Sequence, residues 1–231
     1  MIDLAAFALA LQIGDSAFPT GAFTASWGIE GMCAAGLVID ATSLERAVRV
    51  QIEHRWATCD RWFVSAGFEA RTDRVRLAEL DDLCEATMIA PAARLASRRA
   101  GSGTLSAHRW INVSGDDATV GWIESVQGRI SNGELRGHLS VMWGALAGAL
   151  GLDVDVAVVT SGVQFAQSLT SAALRLGVVG HLDAQRALTH GRECVVKLCA
   201  TTMASDPSSN VPDADIAMLV HPQREHRLFS C

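Results

Sequence analysis

Apolar residues recur at intervals of three and four along most of this chain, the spacing that places side chains on one face of an α-helix. The clearest case opens at Thr42, where Thr42 and Glu45 have the spacing of a capping box. We predict a helix from this cap to about Ala70. Its expected buried stripe consists of Leu44, Val48, Ile52, Trp56, Cys59, Phe63 and Ala66. Charged residues occupy the other faces, so we expect one side to face water.

The same period predicts helices on both sides of this segment. A first helix covers residues 4–11 and is ended by Gly14. A second helix includes Trp27 and closes at Gly36. Asp73 is placed to cap a further helix downstream. The first third of the chain is therefore predicted to be mostly helical.

The centre of the chain has a less even pattern. Pro91 ends or kinks the helix that Asp73 opens, because proline removes a backbone hydrogen-bond donor. Residues 92–113 return to a helical period, which Gly101 and Gly103 weaken. A polar loop follows over residues 114–121.

A less regular stretch over residues 122–133 precedes the most apolar part of the sequence. Residues 139–150 predict a buried helix, in which Gly144 and Gly148 are interpreted as points where another backbone packs closely. Residues 154–159 are rich in β-branched side chains, which favour a strand. A lone strand without partners would be unstable, so we predict helix there as well.

The last part of the chain changes character. Helices are predicted over residues 163–176 and after Asp183, but residues 204–215 have no apolar period and contain proline, serine and asparagine, which indicates a flexible linker. We therefore predict a helical domain over 1–203 and a linker with a partner-binding tail over 204–231. The expected fold class is all-α: a single globular bundle of roughly ten helices with a flexible C-terminal tail.

Composition narrows the functional classes. Hydrophobic residues make up 49% of the 231 residues and charged residues 19%, and the mean hydropathy is +0.23. Either a large core or an apolar surface covered by another protein explains this excess. The net charge of −6 and the lack of a basic tract argue against binding to nucleic acid. The longest apolar run has roughly 14 residues, fewer than the about 20 that span a bilayer. No secretory signal is apparent. We therefore expect a soluble cytoplasmic protein with no membrane partner.

Chemistry-bearing motifs are sparse. The six cysteines are scattered without a Cys-x-x-Cys pair and are expected to be reduced core residues. No phosphate loop, nucleophile elbow, paired-histidine zinc helix or dinucleotide fingerprint occurs, so we expect no cofactor. His221, His226 and Cys231 could together hold nickel, although their spacing of five suits one helical face poorly, and a nickel carrier is kept as an alternative. Asp15 and Ser16 leave open a catalytic loop, but adjacent Asp and Ser most often cap a helix or turn.

Three blocks of residues carry a family resemblance. The first supplies Asp15, Ser16, Ala17, Phe18, Pro19, Gly21, Phe23, Ser26, Gly28, Ile29 and Glu30. The second is Arg175, Leu176, Gly177 and Gly180, and the third is His221 followed by Arg227, Leu228 and Phe229. In this order the blocks resemble the UreF family of urease accessory proteins. The chain departs from the family pattern at Ala22, Ala25, His181, Pro222, Glu225 and Cys231.

The resemblance implies an all-α, dimeric protein without an active site of its own, and we assign no residue to a metal site. It would bridge UreD, also called UreH, and the GTPase UreG while nickel is loaded into apo-urease, and it would modulate the GTPase. The implied partner-binding residues are His221, Arg227, Leu228, Phe229, Ser230, Arg175, Gly177 and Gly180. The implied structural signature is Asp15, Ser16, Pro19, Gly21, Phe23, Ser26, Gly28 and Glu30.

Overall fold

Helices are the regular elements of this protein. The computed structural model describes residues 4–15, 17–21, 25–111, 115–220 and 228–229. Within these ranges there is no strand, which confirms the all-α prediction. The α-helices are α1 (Leu4–Gly14), α2 (Ile29–Ala34), α3 (Ala41–Gln51), α4 (Arg61–Glu69), α5 (Arg74–Thr87), α6 (Pro91–Ile111), α7 (Asp117–Ser131), α8 (Leu139–Ala149), α9 (Val154–Arg175), α10 (His181–Cys199) and α11 (Pro212–Val220). None of these described helices combines the length and apolarity needed to cross a bilayer.

Short polar side chains fix where two of these helices begin. The Asp40 carboxylate accepts a hydrogen bond from the Ser43 backbone N–H at 2.8 Å, and Ser43 Oγ accepts one from the Asp40 N–H at 3.0 Å. The capping box of α3 is therefore Asp40 with Ser43, and the predicted pair of Thr42 and Glu45 is wrong. Asp73 caps α5 as predicted, because its Oδ1 accepts from two backbone N–H groups of the first turn.

The helix predicted from Thr42 to about Ala70 is a succession of helical types. A π-helix, Ile52–Asp60, lies between α3 and α4, and a 3₁₀ turn, Ala70–Thr72, follows α4. Apolar spacing did not reveal the π-helix, since its wider turn still returns apolar side chains to one side. The predicted stripe is buried at Leu44, Val48, Ile52, Trp56, Cys59 and Phe63. Ala66, the last predicted member, is only half-buried.

The chain divides into two compact units, which we describe separately. The first consists of Met1–Ala22, Phe63–Ala86 and Ser97–Ser161, and the second of Phe23–Trp62, Thr87–Ala96 and Gly162–Cys231. In the first unit, α8 packs closely against α4. A Cβ at Gly144 would collide with the backbone of Val64, and one at Gly67 would lie 2.5 Å from the Val141 carbonyl oxygen. The predicted close packing at Gly144 is thus confirmed.

Two segments are more helical than predicted. Helix α6 begins at Pro91 and continues through Gly101 and Gly103, because at both glycines another segment's backbone occupies the space where a Cβ would lie. These glycines therefore permit close packing and do not break the helix. The irregular stretch predicted over residues 122–133 is also wrong. Most of it belongs to α7, which begins after Asp116, whose side chain accepts two backbone hydrogen bonds.

The second unit is built on contacts between α10, α3 and the π-helix. A Cβ at Gly191 of α10 would lie 3.1 Å from Val48 Cγ1 and 3.2 Å from Ile52 Cδ1, so these helices are in close contact. The residues predicted as helix over 154–159 and 163–176 form one continuous helix, α9. The helical prediction for the β-branched stretch is confirmed.

The segment before α11 runs alongside the π-helix and is hydrogen-bonded to it. The backbone N–H of Ser208 donates to the Thr58 carbonyl at 2.9 Å, and that of Asn210 donates to the His54 carbonyl at 2.9 Å. Helix α11 then begins at Pro212, within the residues predicted to be a linker. The sequence pattern did not predict this helix. The flexibility of the linker and the domain boundary after residue 203 stay predictions.

Candidate partner-binding site

The candidate site lies in the second unit, around the first turn of α2. The two residues that precede this helix have left-handed backbone conformations, with φ of 51° at Trp27 and 90° at Gly28. Such a conformation is easy for glycine and unfavourable for a residue with a large side chain. It also interrupts any helix, so the prediction that Trp27 lies within a helix is wrong, and α2 begins at Ile29.

A buried arginine holds Trp27 in this conformation. The guanidinium carbon of Arg55 lies 4.6 Å from the centroid of the Trp27 ring and 5.3 Å from that of Phe165. Its Nε also donates to Asp60 Oδ2 at 3.4 Å. A desolvated cation–π contact contributes about 2 kcal/mol, which is comparable with the about 1–3 kcal/mol cost of the strained backbone. Arg55 was not predicted as a site residue, although an arginine inside a buried apolar stripe was the available signal.

Glycine lets α2 contact α11 through the backbone. A Cβ at Gly28 would lie 2.9 Å from the Ala214 carbonyl oxygen, and a Cβ at Gly31 would lie 2.7 Å from the Ala217 carbonyl oxygen. Neither separation is available to a real side chain, and both obstructing atoms belong to the backbone. Positive φ and close contact therefore both require glycine at position 28, whereas at position 31 close contact alone does.

Asp215, in the first turn of α11, has its pKa raised by burial, which the nearby Arg55 charge partly opposes.

Glu30 lies in the first turn of α2 and accepts hydrogen bonds from the tail. The residue is 5% exposed, and its two carboxylate oxygens receive backbone N–H groups from the C-terminal tail. Leu228 N donates to Oε1 at 2.7 Å, and Phe229 N donates to Oε2 at 3.2 Å. Hydrogen bonds to a charged acceptor are about twice as strong as neutral ones. One buried carboxylate therefore fixes two successive residues of the tail by their main chain.

Phe229 is held by a second contact. Its ring is 6% exposed, and the guanidinium carbon of Arg175 lies 4.2 Å from the ring centroid. Arg175 is itself on the surface, at the end of α9. It therefore covers the outer face of the ring while its charge stays hydrated. Leu228, in contrast, leaves 63% of its surface in water.

The structure therefore brings together residues from all three sequence blocks. Glu30 comes from the first block, Arg175 from the second, and Leu228 and Phe229 from the third. Glu30 was predicted to have only a structural role, with no connection to the tail. The usable signal was an acidic residue between apolar neighbours in the first turn of a short helix. Whether Arg175, Leu228 and Phe229 bind a partner stays a prediction.

Three further predicted residues of the second unit are described, and each is buried or has a backbone role. Ser26 is buried, and its Oγ accepts from the Glu30 N–H at 3.4 Å. Gly177 has a φ of 72° in the turn after α9, and Gly180 is the N-cap of α10. Phe23, His221, Arg227 and Ser230 lie outside the described residues.

The remaining signature residues belong to the first unit. Asp15 accepts a hydrogen bond from the Ala17 N–H at 2.8 Å, which stabilises the turn after α1. Pro19 is exposed in the same loop, and Gly21 has a φ of 75°. Ser16 lies outside the described residues.

The predicted alternative of a nickel carrier depends on histidine and cysteine side chains near the end of the chain. Among the described residues, no group of three or more His, Cys, Asp or Glu side chains is arranged to hold a metal ion. The predicted alternative of a nickel site relies on His221, His226 and Cys231, all three of which lie outside the described residues. That alternative is therefore a separate hypothesis, testable by calorimetry with nickel on the full chain.

Comparison with known proteins defines the class to which this all-helical chain belongs. The family model described as UreF matches residues 38–191. The chain is 30% identical over 231 residues to the urease accessory protein UreF of Kocuria rhizophila, covering 95% of this chain and 94% of the relative. It is 31% identical over 225 residues to the proteins of the same name from Yersinia pseudotuberculosis and Yersinia enterocolitica, covering 95% of this chain and 96% of each relative.

These matches identify a urease accessory protein. More narrowly, the chain belongs to the UreF family, as the three sequence blocks indicated.

Proposed function

We propose that this protein is a non-enzymatic scaffold for urease maturation, which bridges UreD/UreH and the GTPase UreG while nickel is inserted into apo-urease. We further propose that it forms a homodimer and modulates the GTPase activity of UreG. Membership of an accessory family supports a role in maturation. The tail supports the bridging role, and we assign it the contact with UreD/UreH.

The observation that carries the proposal is the way in which the tail is held. Glu30 binds the main chain of residues 228 and 229, and Arg175 covers Phe229, yet the Leu228 side chain is 63% exposed. An apolar side chain whose main chain is already held binds with a smaller ordering cost than one on a free segment. Leu228 therefore suits a role as a preorganised apolar contact for another protein.

Helix α11, which precedes the tail in the chain, extends this apolar character. Ile216, Leu219 and Val220 are 58%, 42% and 46% exposed. Scattered exposed leucines are ordinary on protein surfaces, but several on one short helix are typical of interaction surfaces. We assign these α11 residues, with Leu228, to the apolar contact with the partner.

The test compares two exposed leucines of the second unit. Leu228→Asp is expected to abolish capture of purified UreD by the tagged protein, because the aspartate would place a charge in the apolar contact. Leu182→Asp is the matched control, because it makes the same chemical change at another exposed leucine. Leu182 is 76% exposed, and it lies on α10, away from the tail in sequence. Unchanged UreD capture by Leu228→Asp would contradict the tail assignment.

A second measurement tests the bridging role. UreG is expected to be retained only when UreD and this protein are both present, and the wild-type and Leu182→Asp proteins should behave alike. Recovery of UreG without UreD would contradict this requirement for both proteins. A change in the GTP hydrolysis rate of UreG on adding the complex would support modulation, and an unchanged rate would refute it.

A further inference from the structure

A half-open cavity of about 150 Å³ lies within the second unit, where α2, α3 and the start of α11 meet. Most of its wall is apolar, with contributions from Met32, Leu37, Ala47, Val50 and Val211. A cavity of this volume accommodates a ligand of about six carbon atoms. The apolar wall therefore suits the aliphatic body of a small molecule or one aliphatic side chain.

One polar residue of this wall has no hydrogen-bond partner. Gln51 lines the cavity, is 1% exposed, and neither its Oε1 nor its Nε2 pairs with any described residue. An unpaired buried polar atom costs about 1–3 kcal/mol. Such a group is therefore expected to have a partner that the described residues do not supply.

Further hydrogen-bond donors lie beside the cavity. The backbone N–H groups of Asp213 and Ala214, in the first turn of α11, have no acceptor among the described residues. Arg46 also lines the cavity, and within the described residues its guanidinium makes no hydrogen bond or ion pair. Helix N-termini and arginine both favour a carboxylate. The exposed Asp213 carboxylate is the opposing charge at the rim.

We propose that this cavity binds a carboxylate that carries a branched aliphatic group of about leucine side-chain size. The aliphatic group fills the apolar wall, while Arg46, the start of α11 and the Gln51 amide receive the carboxylate. Two sources have this chemistry: a free branched-chain acid and the C-terminal leucine of a polypeptide. The proposal is independent of the role in urease maturation.

The experiment titrates the full chain with 4-methylpentanoate and with its neutral isostere 4-methylpentanamide, followed by NMR chemical shifts. The acid is expected to bind about tenfold more tightly than the amide, because only the acid carries the charge that Arg46 and α11 recognise. N-acetyl-alanyl-leucine distinguishes the sources: tighter binding of this peptide identifies a polypeptide C-terminus, and equal or weaker binding identifies the free acid. Equal affinity for acid and amide, or shifts for neither, would overturn the proposal.

Three variants locate the binding site. Arg46→Gln is expected to remove the preference for the acid, whereas Arg49→Gln, on the same helix but paired with Glu53 at 3.2 Å, should retain it. Asp213→Asn removes the opposing charge and should tighten binding of the acid. An unchanged preference in Arg46→Gln would contradict the assignment.

Gln51→Met separates ligand binding from folding. Methionine has a similar length and no polar atoms to satisfy, so this variant should unfold at a higher temperature than the wild type. Its affinity for 4-methylpentanoate is expected to fall. Higher stability with unchanged affinity would show that the Gln51 amide takes no part in binding and would refute its proposed role.

Discussion

The contact between Glu30 and the tail gives the sharpest prediction. Glu30→Gln keeps one oxygen as an acceptor but replaces the other with an NH2 group, which cannot accept, so one of the bonds from residues 228 and 229 loses its charge and the other is lost. A hydrogen bond to a charged group contributes about 1.5–3 kcal/mol and a neutral one about 0.5–1.5 kcal/mol. The expected loss is therefore about 1 kcal/mol for the weakened bond and about 2 kcal/mol for the lost one, or about 3 kcal/mol for the docked tail, which is roughly a 150-fold shift towards the released tail.

Amide hydrogen exchange measures this equilibrium directly. The N–H groups of Leu228 and Phe229 exchange when the tail leaves Glu30, so their protection factors should fall roughly 150-fold in Glu30→Gln. Glu193→Gln is the matched control, because it removes the same charge from an exposed position on α10. Protection at both amides that is equal in the wild type and Glu30→Gln would refute the assignment of Glu30 as the tail acceptor.

Two further predictions concern packing and pH. Gly31→Ala is expected to lower the free energy of unfolding, measured by urea titration, by about 1–3 kcal/mol, because its Cβ would lie 2.7 Å from the Ala217 carbonyl oxygen. Gly121→Ala is the control, because Gly121 has open space around it, and it should not destabilise the fold in the same titration. Burial lowers the pKa of His108, so the unfolded chain takes up a proton more readily and stability falls as pH drops below about 6.5. His108→Phe, which keeps an aromatic ring next to Phe18, should lose less stability than the wild type between about pH 7.5 and about pH 5.5 in urea titrations, and an equal loss would contradict this cause.

The helical class was predictable because apolar spacing is a local property. The buried stripe from Leu44 to Phe63 follows directly from it, and Gly144 in the most apolar segment was correctly read as a packing point. Gly101 and Gly103 were misread as weak points because their neighbouring backbones come from elsewhere in the sequence. Local propensity cannot report such contacts.

The candidate site was only partly predictable for a related reason. The motif blocks identified Glu30, Arg175 and Phe229 separately, but Glu30 meets residues that follow it by 198 and 199 positions. The donors at the far end are backbone N–H groups, which every residue other than proline possesses and which leave no pattern in a sequence. The left-handed backbone of Trp27 depends on tertiary contacts with Arg55 and was invisible for the same reason.

Holding the tail by its peptide groups separates attachment from recognition. Glu30 makes no demand on the side chain at position 228, so that position can change while the tail stays in place. The Phe229 ring, under Arg175, is where the attachment does depend on residue type. Specificity for a partner can therefore diverge at Leu228 without a compensating change in the body of the protein.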